Sequence, residues 1–307
     1  MKLSIITINR NNAEGLRKTM ESVLTQAYQD FEYIVVDGAS SDHSVEVIKE
    51  LTNERVNELK SFTWISEPDT GIYNAMNKGI EIAEGRRVVN PFNRSERSEC
   101  ENKVIKDGYV LMLNSGDFLV DEHVIERIMP ELDGTDIIQG NTISQREGVL
   151  WRDRGYGKSD ISFLDVQRGY FLHQASFCKE SLFEQYGYFN EHNRYVSDTE
   201  FFIKTLGFGG ASFKYVDIDI ANFDSTGFSS SKETSIRQAY MEEEYAMQHR
   251  LFPGRLYTYC RDSERKVELF DALRKHKWLW HGLMVLKMLH NWVYGEHHVP
   301  ISEKMKK

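Results

Sequence analysis

Apolar positions follow two different periods along the first part of the chain. Short apolar, β-branched runs predict strands, and apolar residues three or four positions apart predict helices. Strands that alternate with helices are typical of an α/β fold with a doubly wound, mostly parallel sheet flanked by helices. The predicted strands are Leu3–Ile8, Phe31–Val36, Phe62–Ser66 and Tyr109–Leu113, and the predicted helices include Ala13–Ala27 and Ile72–Ala83.

Polar side chains follow each of these four strands. Asn9 and Asn11 follow the first, and Asp37, Asp69 and Asp117 follow the others. Ligands of such sheets bind beyond the carboxyl ends of the strands, so we expect these side chains to line one site. Turns and helix caps explain polar residues at one or two strand ends, but four ends together favour a site.

Two nucleotide-binding motifs are absent from the places where they would act. No Gly-x-Gly-x-x-Gly follows the first strand, and no Gly-x-x-x-x-Gly-Lys-Ser/Thr joins a strand to a helix. These absences argue against a nicotinamide dehydrogenase and a P-loop ATPase. Hard divalent cations prefer oxygen ligands, so aspartates at strand ends favour a nucleotide held through a metal, as in a nucleotide-sugar enzyme.

Composition narrows the class of protein further. With 40% hydrophobic and 12% aromatic residues, the chain has enough apolar material for a core, and a mainly disordered chain is excluded. The net charge of −9 argues against nucleic acid as a partner. The three cysteines are far apart, and the first apolar run is too short for a signal peptide. We therefore expect a cytoplasmic protein.

Charge is distributed unevenly along the chain. From Arg274 to Lys307 there are seven basic and two acidic residues, a local charge of +5, so the preceding residues carry −14. A predicted helix over 273–294 contains several Trp and has apolar residues, Trp278 among them, on one side and polar residues opposite. Such a helix either packs on the domain or on a second subunit, or lies peripherally at the inner face of a membrane.

Seven motifs occur in order along the chain: Ser4–Asn12, Val35–Asp42, Glu67–Gly79, Leu113–Asp117, His173–Ala175, Tyr186–Glu191 and Ser197–Phe202. With these motifs the chain resembles a family 2 glycosyltransferase of the GT-A fold, in the branch that assembles bacterial surface polysaccharides. The resemblance implies a catalytic domain over 1–231. An insertion at about 86–107 departs from the family's pattern and is either a recognition loop for an anionic acceptor or a solvated excursion. After residue 231 the resemblance fades, and the pattern predicts a helical C-terminal extension over 232–307.

The resemblance also implies a donor and metal site. Asp117 matches the last Asp of the family's Asp-x-Asp motif and is expected to hold Mn²⁺ or Mg²⁺, whereas Ser115 stands at the first position and leaves one carboxylate fewer. Lys78 is alternatively a solvated helix lysine. The implied donor-binding residues are Thr7, Asn9, Asn11, Asp37, Asp69, Asn77, Lys78 and Ser115.

Three residues are candidates for the acceptor side. Asp198 falls where the family places its general base, although an Asp there also suits a helix N-cap. His173 is expected to contact the acceptor or a phosphate, or else to be a structural histidine. Glu200 either contacts the acceptor or carries charge in the first turn of a helix.

Together these observations predict an inverting glycosyltransferase. It would move a sugar from a nucleoside-diphosphate donor to a glycan or lipid-linked acceptor in surface polysaccharide synthesis. A catalytically inactive binding or scaffold subunit and a sugar-nucleotidyltransferase are the alternatives. The latter would need a Gly-rich basic loop after the first strand, and Asn9-Arg10-Asn11-Asn12 is not that loop.

Overall fold

A computed structural model describes residues 2–55, 61–87, 108–146, 149–169, 171–224, 233–252 and 254–294. Most of the predicted insertion, residues 88–107, lies outside the described residues. In the first half of the chain the elements are β1 (Leu3–Asn9), α1 (Ala13–Leu24), β2 (Glu32–Asp37), α2 (Ser44–Arg55), β3 (Ser61–Ser66), α3 (Ile72–Ala83) and β4 (Tyr109–Met112).

The second half of the chain adds five strands and seven α-helices among the described residues. They are β5 (Phe118–Leu119), α4 (Val124–Ile128), β6 (Ile137–Arg146), β7 (Val149–Asp153), α5 (Phe163–Gln167), β8 (Ser176–Lys179), α6 (Glu180–Tyr186), α7 (Ser197–Phe202), β9 (Phe213–Phe223), α8 (Thr234–Leu251), α9 (Gly254–Lys275) and α10 (Lys277–Tyr294).

All nine described strands belong to one sheet, with the order β3-β2-β1-β4-β8-β6-β9-β5 and β7 paired to β6. The first four strands are parallel to one another, as predicted. Strand β8 then runs antiparallel to both β4 and β6, while β9 is parallel to β6. The predicted α/β fold is confirmed, and the antiparallel pairs of the second half are an addition that the hydrophobic pattern did not predict.

Side chains that alternate along β1 point to opposite faces of the sheet. Leu3 and Ile5 pack in a cluster that includes residues of α1 and α2, whereas Ile6 and Ile8 pack in a second cluster that includes residues of α3, α6 and α7. Both faces of the sheet are therefore covered by helices, which explains why its central strands read as nearly continuous apolar runs.

The chain divides into two compact units, Met1–Leu251 and Phe252–Lys307. Helix α8 thus belongs to the first unit, although the sequence grouped it with the C-terminal extension. The second unit contains α9 and α10, which confirms a helical C-terminal region. None of the helices described is both long enough and apolar enough to cross a membrane.

Candidate functional site

The carboxyl ends of the first strands lie level with one another. Asn9 stands opposite Asp37 in the β1–β2 register, and Asp37 stands opposite Ser66 in the β2–β3 register. Residues of the loop after β4 are tied to the same place, because the backbone N–H of Ser115 donates to the carbonyl of Ile8 at 3.0 Å. This carboxyl edge therefore holds the polar residues that the sequence predicts to converge.

Asp37 is the centre of a hydrogen-bond network at the carboxyl edge. Its carboxylate is fully buried and accepts from Asn9 Nδ2 at 2.8 Å, from Ser66 Oγ at 2.7 Å, and from both the backbone N–H and the hydroxyl of Ser40 at 3.0 and 2.6 Å. These bonds fix the loops after three strands relative to one another. In this structure Asp37 therefore orders the loops at the carboxyl edge.

Asn11 joins the loops after β1 and β2. Its φ of 52° lies in the left-handed region that asparagine tolerates better than most residues. Its Oδ1 accepts the backbone N–H of Ser41 at 2.8 Å, and its own N–H donates to Ser40 Oγ at 2.8 Å. Thr7, in contrast, is fully buried within β1 and shares its hydroxyl with Tyr33, so its predicted donor contact stays a prediction.

Asp69 lies beside the same loops because Gly38 leaves room for it. A Cβ atom on Gly38 would stand 2.1 Å from Asp69 Oδ2. The other carboxylate oxygen of Asp69 accepts the backbone N–H of Gly71 at 3.0 Å and faces an Arg10 guanidinium nitrogen at 3.3 Å. Arg10 is 61% exposed and Asp69 only 4%, so the guanidinium is the accessible part of this pair.

Helix α3 follows Asp69 and carries two further predicted donor residues. Lys78 is mostly buried, pairs with Glu67 Oε1 at 2.8 Å and donates to the carbonyl of Pro68 at 2.7 Å. It is therefore not a solvated helix lysine. Asn77 exchanges two hydrogen bonds with the backbone of Phe189 and donates a third to Glu191. Both residues hold the loops around the site in place.

Asp117 is buried beside a second carboxylate. Its Oδ1 accepts the backbone N–H of Asp224 at 2.9 Å, and a Cβ atom on Gly116 would stand 2.9 Å from Asp224 Oδ2. Burial raises the pKa of Asp117 to about 7, against the opposing effects of the Asp224 N–H and of His173. The hydroxyl of Thr19 accepts the N–H of Gly116 and donates to the carbonyl of Asp117.

These groups suit a cation for which the protein supplies only some of the ligands. Among the described residues, no group of three or more His, Cys, Asp or Glu side chains forms a metal cage. Mg²⁺ is commonly held by one or two carboxylates together with substrate phosphates, and Asp117 with Asp224 nearby fits that pattern. Ser115 accepts Asn12 Nδ2 at its carbonyl and, at 3.4 Å, at its hydroxyl.

Asp198 is held from two sides near the start of α7. Its Oδ1 accepts the hydroxyl of Tyr73 from α3 at 3.0 Å, and its Oδ2 lies 3.0 Å from His173 Nδ1. Burial acts to raise the pKa of Asp198, but the hydrogen bonds and charge of His173, with help from Tyr73, outweigh it and the pKa lies below its ordinary value. Asp198 is thus an ionised carboxylate at neutral pH, as a proton acceptor must be.

His173 connects Asp198 to the loop that carries Asp117. Its Nε2 lies 3.2 Å from Asn114 Nδ2. Burial acts to lower the pKa of His173, but the hydrogen bond and charge of Asp198 and the charge of Asp117 outweigh it, so the pKa lies above its ordinary value. The structure therefore brings His173, Asp198 and the Asn114–Asp117 loop together.

Glu200 lies away from these groups. Only 3% of its side chain is exposed, and it is bonded to Lys204, Asn190, Asn193 and Arg250. Burial acts to raise its pKa, but the hydrogen bonds from Lys204 and Asn190 outweigh it. A contact with an acceptor stays a prediction, since the structure shows a buried tie between α7 and α8.

Sequence reasoning assigned no individual role to Tyr73, Asn114 or Asp224. Tyr73 and Asn114 lie inside recognised motifs, close in sequence to Asp69 and Asp117. This proximity is the sequence feature that could have identified them. Asp224 directly follows β9, some hundred positions after Asp117, and the pairing of β5 with β9 brings it to the carboxyl edge.

Comparison with known proteins matches these observations. Residues 4–92 fit the sequence model of the family described as Glycosyl transferase family 2. A PGL/p-HBAD biosynthesis glycosyltransferase of Mycobacterium bovis is 24% identical over 227 residues, which cover 73% of this chain and 77% of that protein. An uncharacterized glycosyltransferase of Mycobacterium tuberculosis is 28% identical over 237 residues, covering 76% and 79%.

Solved structures share the fold. S. aureus TarS in complex with UDP-GlcNAc has a TM-score of 0.57 and 15% identity, covering 81% of this chain and 66% of that one. The mannosyltransferase PcManGT from Pyrobaculum calidifontis, in complex with GDP-Man and Mn²⁺, has a TM-score of 0.54 and 14% identity, covering 81% and 64%. The chain thus spans less than two thirds of the length of these solved proteins. Residues 4–92 match glycosyl transferase family 2, and the described structure has the GT-A fold.

Proposed function

We propose that this protein is an inverting glycosyltransferase that moves a sugar from a nucleoside-diphosphate donor to a glycan or lipid-linked acceptor. One observation supports this proposal above the others: the chain of contacts Tyr73–Asp198–His173–Asn114 connects an ionised carboxylate to the loop of Asp117. A base beside a metal and diphosphate site is what a single in-line displacement requires.

The reaction uses one base and one leaving group. The acceptor hydroxyl attacks the anomeric carbon of the donor sugar, its proton passes to Asp198, and the bond from that carbon to the diphosphate oxygen breaks with the electron pair leaving on the diphosphate. Tyr73 and His173 hold the two oxygens of Asp198 and keep the carboxylate ionised. The ordered loops around Asp37, Asn9 and Asn11 would bind the nucleoside of the donor. Asp69 and Arg10 would lie beside its diphosphate and sugar.

Asp117, with Asp224 beside it, would hold Mn²⁺ or Mg²⁺. When bound, the ion neutralises charge that develops on the departing diphosphate. The burial that raises the pKa of Asp117 to about 7 supports this assignment, because an isolated buried carboxylate is costly and a cation relieves that cost. Binding of UDP-GlcNAc by TarS and of GDP-Man with Mn²⁺ by PcManGT supports a nucleotide-sugar donor and a divalent ion.

The proposal extends to the place of action. A role in bacterial surface polysaccharide synthesis, at the cytoplasmic face of a membrane, agrees with the sequence motifs and with an amphipathic helix over 273–294. Helix α10 exposes Trp278, Val285 and Leu286, which are 75%, 55% and 64% exposed. These side chains are suited to an interfacial contact rather than to a span.

Release of UDP or GDP from nucleotide sugars, with Mn²⁺ present, tests the proposal. Asp198→Asn should lower the rate of release by about 10²- to 10⁴-fold, the usual contribution of a general base, while nucleotide binding in calorimetry stays intact. Asp117→Ala should lose the metal-dependent release. Asp160→Asn replaces an exposed aspartate outside the site and should change neither.

Three results would contradict the proposal. If the wild-type protein binds no nucleoside diphosphate with Mn²⁺, the donor site is wrong. If it binds the nucleotide but releases none from any nucleotide sugar, with any acceptor present, the inactive scaffold is the better interpretation. Pyrophosphate release from a nucleoside triphosphate and a sugar phosphate would indicate a sugar-nucleotidyltransferase.

A further inference from the structure

Asp198 lies in the first turn of α7. Helix α7 (Ser197–Phe202) continues directly into a π-helical segment, Ile203–Phe208, and its two phenylalanines pack in the core. Its first turn is held less firmly, because the first N–H groups of a helix lack partners within it and the N-cap residue Val196 offers no side-chain hydrogen bond. The position of Asp198 therefore depends also on groups that hold the turn before α7.

Glu243 of α8 binds that turn. Its Oε1 accepts the backbone N–H groups of Arg194, Tyr195 and Val196 at 2.9, 2.7 and 3.1 Å, and its Oε2 lies 2.9 Å from the N–H of Arg194. Three consecutive amides thus share one carboxylate. Bonds between an ionised acceptor and an N–H group are shorter and stronger than neutral ones, so this contact restrains the turn firmly.

Two further contacts join α8 to the same region. Arg250 reaches Glu200 near the other end of α7, and the rings of Tyr240 and Tyr195 meet edge to face with centroids 6.1 Å apart. Burial and the charges of Glu244 and Asp198 raise the pKa of Tyr240 to about 12. Helix α8 therefore contacts both α7 and the turn before it.

We propose that Glu243 is a positioning residue for Asp198, acting through the backbone of 194–196. The inference rests on the proposed role of Asp198 as the base. Because Tyr73 and His173 contact Asp198 from α3 and from the loop before β8, a shift of α7 would break both contacts at once. The sequence alone separates Glu243 from Asp198 by 45 positions and gives no sign of the connection.

Three variants of the full chain test this inference. Glu243→Ala removes the acceptor, whereas Glu243→Gln keeps one side-chain oxygen, and a single oxygen accepts all three amides in the structure. Glu242→Ala is the matched control, since Glu242 is exposed on the same helix and accepts only from Gln238 in the described residues. The readouts are kcat and donor KM for nucleoside-diphosphate release, and hydrogen exchange of the 194–196 amides.

Glu243→Ala should speed exchange of the 194–196 amides and lower kcat by about 10- to 100-fold, the cost of a small misplacement of a catalytic group, with donor KM nearly unchanged. Glu243→Gln should recover most of kcat, and Glu242→Ala should match the wild type. If Glu243 had only a structural role, Glu243→Ala would lower donor binding and stability together, and kcat would not fall alone.

The inference is overturned if Glu243→Ala retains kcat, if kcat and donor KM change in proportion, or if Glu243→Gln fails as severely as Glu243→Ala. Those results leave the proposed function standing, because the wild-type protein still releases nucleotide. If the wild type releases none, the proposed function fails, and the role of Glu243 in catalysis falls with it even where amide exchange responds as expected.

Discussion

The Nδ1 atom of His173 lies 3.0 Å from Oδ2 of Asp198, and the Nε2 atom of the same ring lies 3.2 Å from Asn114 Nδ2. An ionised carboxylate only accepts, so Nδ1 carries a proton. The Asn114 Oδ1 atom is buried and has no hydrogen-bond partner in the described structure. The O and N atoms of such an amide are assigned from its contacts, and turning it would give a protonated Nε2 an acceptor.

The raised pKa of His173 and the orphaned Oδ1 of Asn114 therefore favour the same state, an imidazolium between two acceptors. This state places a positive charge between Asp198 and the loop of Asp117. It keeps Asp198 ionised. In the proposed reaction the same charge would also attract the negatively charged diphosphate.

Tyr73→Phe should move the acid limb of the kcat profile to higher pH. The variant removes one hydroxyl that donates to Asp198, so the pKa of Asp198 rises. The ionised form is the active one, and its population at acid pH falls when its pKa rises. We expect kcat close to wild type on the alkaline side. The measurement is nucleoside-diphosphate release across pH at saturating Mn²⁺, so that protonation of Asp117 does not set the acid limb.

Tyr188→Phe is the matched control for this prediction. Its hydroxyl also donates to a carboxylate, Glu84, but outside the site. The aromatic contact of Tyr73 with Phe189, at 5.8 Å between centroids, survives in Tyr73→Phe, so packing is preserved. An unchanged acid limb in Tyr73→Phe, or an equal shift in Tyr188→Phe, would contradict the assigned contact.

Metal binding should weaken as the pH falls through about 7. Burial raises the pKa of Asp117 to about 7, so below this value a proton occupies the carboxylate that the ion needs. One competing proton lowers the apparent affinity about tenfold for each pH unit below the pKa. Calorimetric titration of Mn²⁺ with UDP at about pH 6 and about pH 8 measures the difference.

The same ionisation has a consequence for stability without metal. The folded protein holds the Asp117 proton more tightly than the unfolded chain, whose carboxyl has the ordinary pKa of 3.8. Between 3.8 and about 7 the native state therefore binds more protons, and this group's contribution to stability falls as the pH rises. Asp117→Asn should abolish both pH effects, and it also corrects for titration of the nucleotide itself. If the free energy of unfolding of the wild type differed from that of Asp117→Asn by the same amount at every pH, the assignment would be refuted.

The sequence predicted the parallel half of the fold because its strands are buried on both faces and are separated by helices of regular period. It also placed Asp37, Asp69 and Asp117 at one edge, since the carboxyl ends of parallel strands always meet there. The rest depends on tertiary pairing. Asp224 arrives through the antiparallel pairing of β5 with β9, and Glu243 through the packing of α8, and neither leaves a periodic signal.

The sequence was less able to separate binding residues from the residues that order them. Asp37 and Lys78 match motif positions, yet both are occupied by internal hydrogen bonds in the structure. A motif shows that a residue type is needed at a position, but it does not show whether that residue binds a ligand or orders a loop. The contacts in the structure distinguish the two.

Gly38→Ala should weaken nucleotide binding and destabilise the fold. The added methyl group would stand 2.1 Å from Asp69 Oδ2, so Asp69 must leave its contacts with Arg10 and the N–H of Gly71. Overpacking of this kind typically costs about 1–3 kcal/mol. Urea unfolding measures the stability, and calorimetry with UDP or GDP measures the binding.

Gly282→Ala is the control, because Gly282 lies within α10 with no atom near its added Cβ. Alanine favours a helix more than glycine by about 1 kcal/mol, so this variant should be as stable as the wild type or more so. Wild-type stability and nucleotide affinity in Gly38→Ala would show that Asp69 is free to move and is no fixed part of the donor site.

The exposed apolar face of α10 should bind anionic membranes. Replacing both Trp278 and Leu286 with Ser removes two side chains that are 75% and 64% exposed. If they insert into the interface, their loss should lower binding to phosphatidylglycerol vesicles by at least about tenfold, since burying each is worth about 1.5–3 kcal/mol. Cosedimentation measures the binding. Phosphatidylcholine vesicles carry no net charge, so weaker binding to them shows how far the basic residues of the tail contribute.

Leu269→Ser in α9 provides the comparison, because Leu269 is similarly exposed, at 59%, but on a different helix. It should leave vesicle binding unchanged if α10 alone makes the contact. The alternative from the sequence, packing of this face on a second subunit, predicts a different result: the double variant would shift the oligomeric state in sedimentation velocity and leave vesicle binding as it was. An exposed Trp and Leu could be buried against either partner, and an anionic lipid surface would also attract the local charge of +5 carried by residues 274–307.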